Sequence, residues 1–173
     1  SCRSGECGPV AKDSDSVLPL SMIKSAYLDT SVFGGYFDEE FSLDTIPFFE
    51  RITDDQITII VSELLEDELS GAPDFVQELF SKILNQGSQF VNVTEEVENL
   101  ADTYIKERVV GQTSYADCTH IALATINKAD ILASWNFRHI VNIDRIRGYN
   151  SVNLKLGYPI LEIRTPKEIF KYD

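Results

Sequence analysis

Short apolar runs alternate with amphipathic stretches along this chain, and this alternation restricts its fold more than any other feature. Residues 57–61 are β-branched throughout, which is typical of a buried strand. Similar runs predict further strands at residues 25–28, 89–93, 131–134 and 160–163. Between them, apolar residues at helical spacing predict helices over 43–53, 63–70, 74–85, 95–108, 115–128 and 137–156. The last of these is expected to be interrupted near Asn142 and Gly148, and a short terminal helix is expected to begin at Thr165-Pro166.

Strands that alternate with helices favour a parallel sheet with right-handed crossovers. We therefore predict an α/β fold, a three-layer α/β/α sandwich around a central parallel sheet of about four to five strands. Ligands of such sheets bind beyond the carboxyl ends of the strands. Asp29 ends the first predicted strand, and Ser134 and Asn136 follow a later one, so we expect these three side chains at the same edge.

Local signals set the ends of several helices. The predicted N-caps are Ser62, Thr94 and Ser114. Pro47 is tolerated only near the first turn of the helix over 43–53. The apolar face of that helix is assigned to Leu43, Ile46, Phe49 and Ile52. Gly111 is expected to interrupt the regular secondary structure. Gly34-Gly35 is expected to supply flexible backbone after Asp29.

Length and composition fit one domain. The chain has 173 residues, with apolar and charged fractions that are ordinary for a globular protein. Residues 1–21 are rich in Ser, Gly, Asp and Pro, and Met22 is typical of a natural start. We therefore expect residues 1–21 to be a flexible extension or an added leader, and residues 22–173 to be the domain. No apolar run has the length of a membrane span or the pattern of a signal peptide, so we expect a cytoplasmic protein.

The charge of the chain restricts the ways in which it can contact nucleic acid. The net charge of −13 argues against a general nucleic-acid coat protein, because phosphate contacts need Lys and Arg. The acidic residues are concentrated before residue 106, and basic residues outnumber acidic ones after it. The carboxyl-terminal part is thus the better candidate for contact with a phosphate backbone, although solvated faces often have such a pattern.

Three carboxylates occupy informative positions. Asp29 ends the first strand, Glu68 lies on the helix after the second, and Asp117 lies in the first turn of a later helix. The helix dipole alone favours an acid at the position of Asp117. Glu68 shares a helix face with Leu64 and Leu65 and is predicted to face inward. The other acids of that helix, which we expect to be solvated, are Glu63, Glu66 and Asp67.

Four motifs, in order along the chain, resemble those of PIN domains. They are Leu28-Asp29-Thr30-Ser31, the spacing from Ser62 to Glu68, Ala116-Asp117 followed by Ile121-Ala122, and Ser134-Trp135-Asn136. The resemblance covers about residues 24 to 165 and is greatest to the branch that includes VapC-type toxins. It implies a metal-dependent endoribonuclease that hydrolyses RNA phosphodiester bonds, with acids around one or two Mg²⁺ or Mn²⁺ ions, and it implies a homodimer.

The resemblance also implies a role for each matching residue. Asp29 and Asp117 are expected to be the principal metal ligands, and Glu68 to bind metal directly or through water. Ser31 is expected to hydrogen-bond a ligand carboxylate or the scissile phosphate. Asn136 stands where many PIN domains carry a fourth acid, so a second metal is expected to bind weakly or not at all. Hard divalent cations prefer carboxylate oxygens, which agrees with this assignment.

Residues near these motifs have more than one interpretation. The candidates for RNA contact are Arg138, His139, Arg145 and Arg147, with exposed, solvated side chains as the alternative. Trp135 stacks on a base or packs beside the last strand. His120 lies one helical turn after Asp117, and a packed or capping histidine is favoured over one that contacts the site.

The sequence leaves several classes of function open. The leading hypothesis is the nuclease, either as the toxin of a type II toxin–antitoxin pair or as a stand-alone RNA-processing enzyme. An antitoxin would cover the acidic groove with a basic segment. The alternative is a degenerate PIN domain that binds RNA or protein without cleavage, and Asn136 favours it. A phosphotransferase with Asp29 as nucleophile is disfavoured, because it would want a second acid where Ser31 stands.

Overall fold

The computed structural model describes residues 22–108 and 114–171, which contain a five-stranded, all-parallel sheet. The strands are β1 (Ser25–Leu28), β2 (Thr58–Ser62), β3 (Gln89–Val91), β4 (Ile131–Ala133) and β5 (Glu162–Arg164). Their order across the sheet is β3-β2-β1-β4-β5. The chain therefore winds outward in one direction as far as β3 and then returns to the other side of β1. The predicted α/β fold is confirmed.

Helices cover both faces of this sheet. Within the described residues they are α1 (Thr30–Gly35), α2 (Ser42–Asp54), α3 (Glu63–Leu69), α4 (Asp74–Asn85), α5 (Glu95–Lys106), α6 (Tyr115–Ile126), α7 (Ile143–Lys155) and α8 (Pro166–Lys171). Helices α1, α2, α4 and α8 pack on one face of the sheet, and helices α5, α6 and α7 pack on the other. The result is the three-layer sandwich that the alternation of strands and helices predicts.

Successive side chains of the central strand enter two different cores. Ala26 and Leu28 belong to the core of α1, α2, α4 and α8, whereas Tyr27 belongs to the core of α5, α6 and α7. In β2 the same alternation places Ile59 and Val61 in the first core and Ile60 in the second. A strand buried on both faces has a continuous apolar sequence, which explains the β-branched run. Tyr27 consequently points to the layer that contains α6.

Hydroxyl caps begin the helices that leave the carboxyl edge of the sheet. Ser62 Oγ accepts the backbone N–H of Leu65 at 3.1 Å, and Ser114 Oγ accepts that of Asp117 at 3.1 Å. Thr94 caps α5 in the same way. These three predicted N-caps are confirmed. Each cap satisfies a backbone donor that the helix itself cannot pair, so the first turns of α3 and α6 have defined positions.

The prediction of flexible backbone at Gly34-Gly35 is wrong, because both residues belong to α1. Gly35 is buried against Trp135. A Cβ built on Gly35 would lie 2.8 Å from the indole Cδ1 and Nε1 and 3.1 Å from Thr45 Oγ1. This glycine is therefore needed for a close approach between α1 and the Trp135 ring rather than for flexibility.

The apolar face predicted for α2 is partly wrong. The helix begins at Ser42, so Pro47 is an interior residue rather than one of the first turn. Leu43 is 80% exposed. A spacing of three residues drifts by about 60° at each step, so Leu43 lies about 180° from Ile52 on the helix. The residues that the helix buries are Thr45, Phe48, Phe49 and Ile52.

The helical stretch predicted over 137–156 is shorter in the structure. α7 begins after Asn142, whose side chain accepts two backbone N–H groups of the first turn. Residues 137–140 form turns. Gly148 lies inside α7 and does not interrupt it.

Other differences concern the ends of elements. β5 begins at Glu162 rather than at residue 160, and Ile160 is exposed. The predicted bounds of β1 and α4 agree with the structure, and the remaining predicted boundaries differ by at most two residues. Gly111 and the extension at 1–21 lie outside the described residues. Within the described part, no helix has the length and apolar character needed to cross a membrane.

The packing at Gly35 gives a stability prediction. We expect Gly35→Ala to lower the free energy of unfolding by about 1–3 kcal/mol, because the added methyl overlaps the Trp135 ring. Gly34→Ala is the matched control, since nothing lies within 4 Å of its built Cβ. That control should be neutral or stabilising by about 0.5–1 kcal/mol. Urea unfolding followed by the fluorescence of the single tryptophan measures both, and equal effects of the two substitutions would contradict the packing.

Candidate active site

Asp29 is a nearly buried carboxylate at the carboxyl end of the central strand. Its backbone N–H donates to Ala133 O at 3.0 Å, so the residue continues the pairing of β1 with β4. Its Oδ2 accepts hydrogen bonds from Ser31 Oγ at 2.7 Å and Ser134 Oγ at 2.8 Å. The side chain does not cap α1, although Asp29 occupies the N-cap position. Two hydroxyl groups therefore orient the carboxylate and leave Oδ1 turned to other groups of the site.

The second aspartate, Asp117, enters the site from the first turn of α6. It is half-buried, and its Oδ1 accepts a hydrogen bond from Asn136 Nδ2 at 3.4 Å. Burial raises the pKa of Asp117 above its ordinary value, and the charge on Asp29 raises it further, against a hydrogen bond from the Ser114 cap. The two aspartates are thus close enough for their charges to interact.

Asn136 presents its amide nitrogen, not its oxygen, to Asp117. The Asn136 Oδ1 accepts the backbone N–H of His139 at 3.0 Å, which fixes the orientation of the amide. The Asn136 backbone N–H in turn donates to Ser134 Oγ at 2.9 Å. A residue predicted to stand at the position of a fourth acid therefore acts here as a hydrogen-bond donor to Asp117.

Glu68 enters the site from α3, beside Thr30 and His120. Its Oε1 accepts a hydrogen bond from Thr30 Oγ1 at 2.8 Å and is hydrogen-bonded to His120 Nε2. Partial burial opposes the ionisation of Glu68, but the hydrogen bonds from His120 and Thr30 outweigh it and lower the pKa of this carboxyl. Leu65, on the same helix face, is buried, whereas the Glu68 side chain is 34% exposed. Glu68 thus faces the site rather than the core.

His120 is the residue of the site whose role the sequence prediction underrated. Its side chain is 1% exposed, its Nδ1 lies 2.6 Å from Tyr27 Oη, and its Nε2 lies 3.6 Å from Asp29 Oδ1 beside the contact to Glu68. Burial alone would lower the pKa of His120, but the hydrogen bond to Glu68 and the nearby carboxylates raise it. A usable signal existed in the sequence, because a histidine among the apolar residues of a buried helix needs polar partners for its ring nitrogens.

The acids that flank Glu68 divide into two groups. Glu66 and Asp67 are exposed, as expected. Glu63, in contrast to the prediction, is partly buried, and its Oε1 accepts the backbone N–H of Val93 at 2.5 Å. Glu63 therefore links α3 to the segment that follows β3.

The carboxylates that could hold a metal ion at this edge of the sheet are those of Asp29 and Asp117. Among the described residues, no group of three or more His, Cys, Asp or Glu side chains is arranged to hold an ion. Mg²⁺ is commonly bound by one or two carboxylates together with waters and substrate phosphates. Asp29 and Asp117 could supply two such carboxylates, whereas the described side chains form no preformed cage of three acids.

The basic residues predicted to contact RNA are distributed unevenly. His139 lies close enough to Asp117 for a positive charge on its ring to lower the pKa of that carboxyl. Arg145 has the same relation to the Cys118 thiol, next to Asp117, although burial dominates there and raises the pKa of Cys118 to about 12. Arg138 and Arg147 are exposed. Of the four candidates, His139 is therefore the one for which the structure gives an interaction with a carboxylate of the site.

An aromatic cluster borders the site beyond Asn136. The Trp135 ring centroid lies 4.6 Å from that of Phe41 and 6.0 Å from that of Phe137. Trp135 is buried, and its indole N–H donates to Thr45 Oγ1 at 2.9 Å. Of the two interpretations of Trp135, packing is the one that the structure supports. Phe137, by contrast, is 52% exposed.

The interaction between the two aspartates gives a second stability prediction. We expect Asp117→Asn to raise the free energy of unfolding at neutral pH in EDTA by about 0.5–2 kcal/mol, because it removes a charge that burial and Asp29 disfavour. Asp102→Asn, at an exposed position of α5, should have little effect. Urea denaturation measures both. A clear loss of stability in Asp117→Asn would show that the carboxylate stabilises the fold.

Comparison with known proteins shows a similar fold in VapC-type toxins. No family model and no curated protein sequence matches this chain. VapC20 of Mycobacterium tuberculosis, a toxin that cleaves the sarcin–ricin loop, aligns with a TM-score of 0.50 at 14% identity, over 64% of this chain and 89% of that one.

Two further solved structures give the same result. VapBC2 of Rickettsia felis, bound to a DNA fragment from its promoter, has a TM-score of 0.52 at 15% identity, over 80% of this chain and 98% of that one. FitAcB of Neisseria gonorrhoeae has a TM-score of 0.52 at 12% identity, over 82% and 97% of the two chains. Identities this low bear on the fold alone. The chain thus has the PIN-like α/β/α fold of VapC-type toxins, as its motifs predict.

Proposed function

We propose that this chain is a metal-dependent endoribonuclease that hydrolyses RNA phosphodiester bonds. The observation that carries the proposal is the pair of interacting carboxylates, Asp29 and Asp117, at the carboxyl edge of the sheet. In open α/β sheets this edge is where ligands bind. The similarity in fold to VapC20, a toxin that cleaves the sarcin–ricin loop, supports RNA as the substrate class.

In this proposal Asp29 and Asp117 hold one Mg²⁺ or Mn²⁺ ion. Such an ion, when bound, lowers the pKa of a water molecule and neutralises charge on the phosphodiester. Ser31 and Ser134 keep the Asp29 carboxylate oriented, and Asn136 does the same for Asp117. Glu68 contributes directly or through water, while its Oε1 accepts hydrogen bonds from Thr30 and His120.

The RNA backbone lies, in this proposal, on the Asp117 side of the site. His139 and Arg145 flank that side, and Arg138 and Arg147 extend the basic surface. Phe137 offers an exposed ring next to Asn136 on which an unpaired base can stack. The strongly acidic remainder of the molecule repels RNA elsewhere, so contact is restricted to this surface.

We also propose an antitoxin partner and a homodimer, on the basis of the VapC-like fold. The loop after α1 carries the exposed acids Asp38, Glu39 and Glu40. A basic antitoxin segment is the partner whose charge suits that loop and the acidic site. Co-purification with the product of a neighbouring small reading frame, and its release by salt, is the direct test of this partner.

A second candidate function is an RNA- or protein-binding module that does not cleave. Two observations favour it: Asn136 donates to Asp117 instead of supplying a fourth acid, and Glu68 is bound to His120. The two candidate functions predict different results when folded protein, RNA and a divalent cation are mixed. A folded chain that binds RNA but cuts nothing with Mg²⁺ or Mn²⁺ is the binding module.

The site assignment predicts the effect of removing either aspartate. We expect Asp29→Asn and Asp117→Asn each to lower the rate of RNA cleavage in Mn²⁺ on the order of 100-fold or more, since loss of metal-assisted charge stabilisation amounts to several kcal/mol. Asp67→Asn, at an exposed aspartate of α3, is the matched control and should cleave normally. Circular dichroism checks that all three fold. Full cleavage by both site variants, with contaminating nuclease excluded, would contradict the assignment.

The proposed RNA surface predicts a change in binding rather than in chemistry. We expect Arg145→Gln and Arg138→Gln to weaken RNA binding in EDTA and to reduce the slope of log K against log salt by about 1 unit each. Lys82→Gln is the control, because Lys82 belongs to α4 on the opposite face of the sheet. Fluorescence anisotropy with a labelled RNA at several salt concentrations measures the slopes. An unchanged slope in both arginine variants would move the RNA surface elsewhere.

A further inference from the structure

His120 has polar partners at both ring nitrogens although it lies in the core. Residues 118–125 of α6 are all buried, and His120 is the one among them with an ionisable ring. Packing alone would be served by an apolar side chain without a need for partners. Instead, Nδ1 meets the Tyr27 hydroxyl at 2.6 Å and Nε2 meets the Glu68 carboxylate. The ring therefore connects the interior of the fold to the edge of the candidate site.

The partner at Nε2 is a side chain that needs to be held. Glu68 projects from a helix of only seven residues, and about a third of its side chain is exposed, 34% by area. A glutamate in such a place otherwise samples many rotamers in solvent. Two contacts restrict it here, one from Thr30 Oγ1 and one from His120 Nε2. The same Nε2 lies 3.6 Å from Asp29 Oδ1, so the Glu68 carboxylate is kept next to Asp29.

The partner at Nδ1 is fixed in turn by the start of the helix that carries Glu68. The Tyr27 hydroxyl lies 2.8 Å from Ser62 Oγ, and Ser62 Oγ accepts the backbone N–H of Leu65 as the cap of α3. Burial raises the pKa of Tyr27 well above its ordinary value, so this hydroxyl keeps its proton. The series of hydrogen bonds from Ser62 through Tyr27 and His120 to Glu68 thus begins at the N-cap of α3 and ends at a residue of α3.

We propose that His120 is the positioning residue of this site: its Nε2 holds the Glu68 carboxylate beside Asp29, and Tyr27 with Ser62 holds the imidazole ring in the required orientation. The effect on cleavage rests on the proposed function, whereas the contact itself does not. The proposal gives Tyr27, His120 and Ser62 a purpose beyond core packing.

Two substitutions of His120 separate its two contacts. In His120→Gln the side-chain amide reaches the position of Nε2 and keeps a donor for Glu68. In His120→Asn the shorter amide matches Nδ1 and keeps only the contact to Tyr27. We expect His120→Asn to lower kcat in Mn²⁺ by about 10–100-fold with little change in KM, as for loss of an outer-shell partner. His120→Gln should stay within a few-fold of the unsubstituted chain. Equal loss in both variants would overturn the proposal.

A double-mutant cycle with Glu68→Gln tests whether His120 acts through Glu68. If it does, His120→Asn has little further effect on kcat once Glu68 is replaced. Multiplicative losses would overturn the proposal. Mn²⁺ binding without RNA, followed by electron paramagnetic resonance, should show the same non-additive pattern.

Tyr27→Phe has a matched control in Tyr104→Phe. Both tyrosines are fully buried, and each hydroxyl makes a side-chain hydrogen bond, that of Tyr104 to Asn153 Oδ1 at 2.5 Å in the α5–α7 packing. We expect similar losses of stability in the two variants but a lower kcat only in Tyr27→Phe. An equal kcat in both would reduce Tyr27 to a structural residue and contradict its place in the proposal.

A spectroscopic measurement tests the contact between His120 and Glu68 even if the chain does not cleave RNA. The sequence has two histidines, so the imidazole ¹⁵N signals of His120 and His139 are distinguished with a single His139→Gln variant. We expect Glu68→Gln to shift the Nε2 signal of His120 and to leave His139 unchanged. An unshifted His120 signal would overturn the proposal. Absence of cleavage by the unsubstituted chain would overturn only the proposed function.

Discussion

The burial of two carboxylates, Asp29 and Asp117, at one edge of the sheet is the constraint on which the rest of the site depends. Partial burial raises the pKa of Asp117, and the negative charge on Asp29 raises it further. Hydroxyl groups of Ser31 and Ser134 and the amide of Asn136 stabilise the two side chains without neutralising them. In the function proposed above, a bound cation would stabilise both carboxylates in their ionised forms.

The third carboxylate is stabilised in a different way. Glu68 has an imidazole as its partner, and that imidazole is anchored through Tyr27 to the cap of the helix on which Glu68 lies. The parallel sheet makes this arrangement possible, because it places the end of β1, the start of α3 and the first turns of α6 at one edge. A stable fold and a strained electrostatic site are thus built from the same residues, as is common at functional sites.

Much of this could be predicted from local patterns. The β-branched run, the hydroxyl caps and the alternation of strands and helices depend on short-range physics, so they are visible along the chain. The edge position of Asp29 followed from the end of its strand. Side-chain directions that depend on tertiary contacts were harder to predict. Apolar residues spaced by three were assigned to one face of α2, although each step rotates around the helix axis, and Leu43 is exposed as a result. Gly34-Gly35 was assigned to flexible backbone because the Trp135 ring that packs on Gly35 is distant in sequence. The pairing of His120 with Glu68 spans 52 residues, and only the packing of α6 on β1 reveals it.

The central claim is that the edge formed by Asp29 and Asp117 cuts RNA with a divalent cation. Its most direct test is incubation of the purified chain, free of any partner, with a mixed panel of structured and single-stranded RNAs in Mg²⁺, Mn²⁺ or EDTA. The account predicts discrete cleavage in at least one of the two cations and none in EDTA. Cleavage that persists in EDTA, or no cleavage of any RNA by folded protein in either cation, would contradict it.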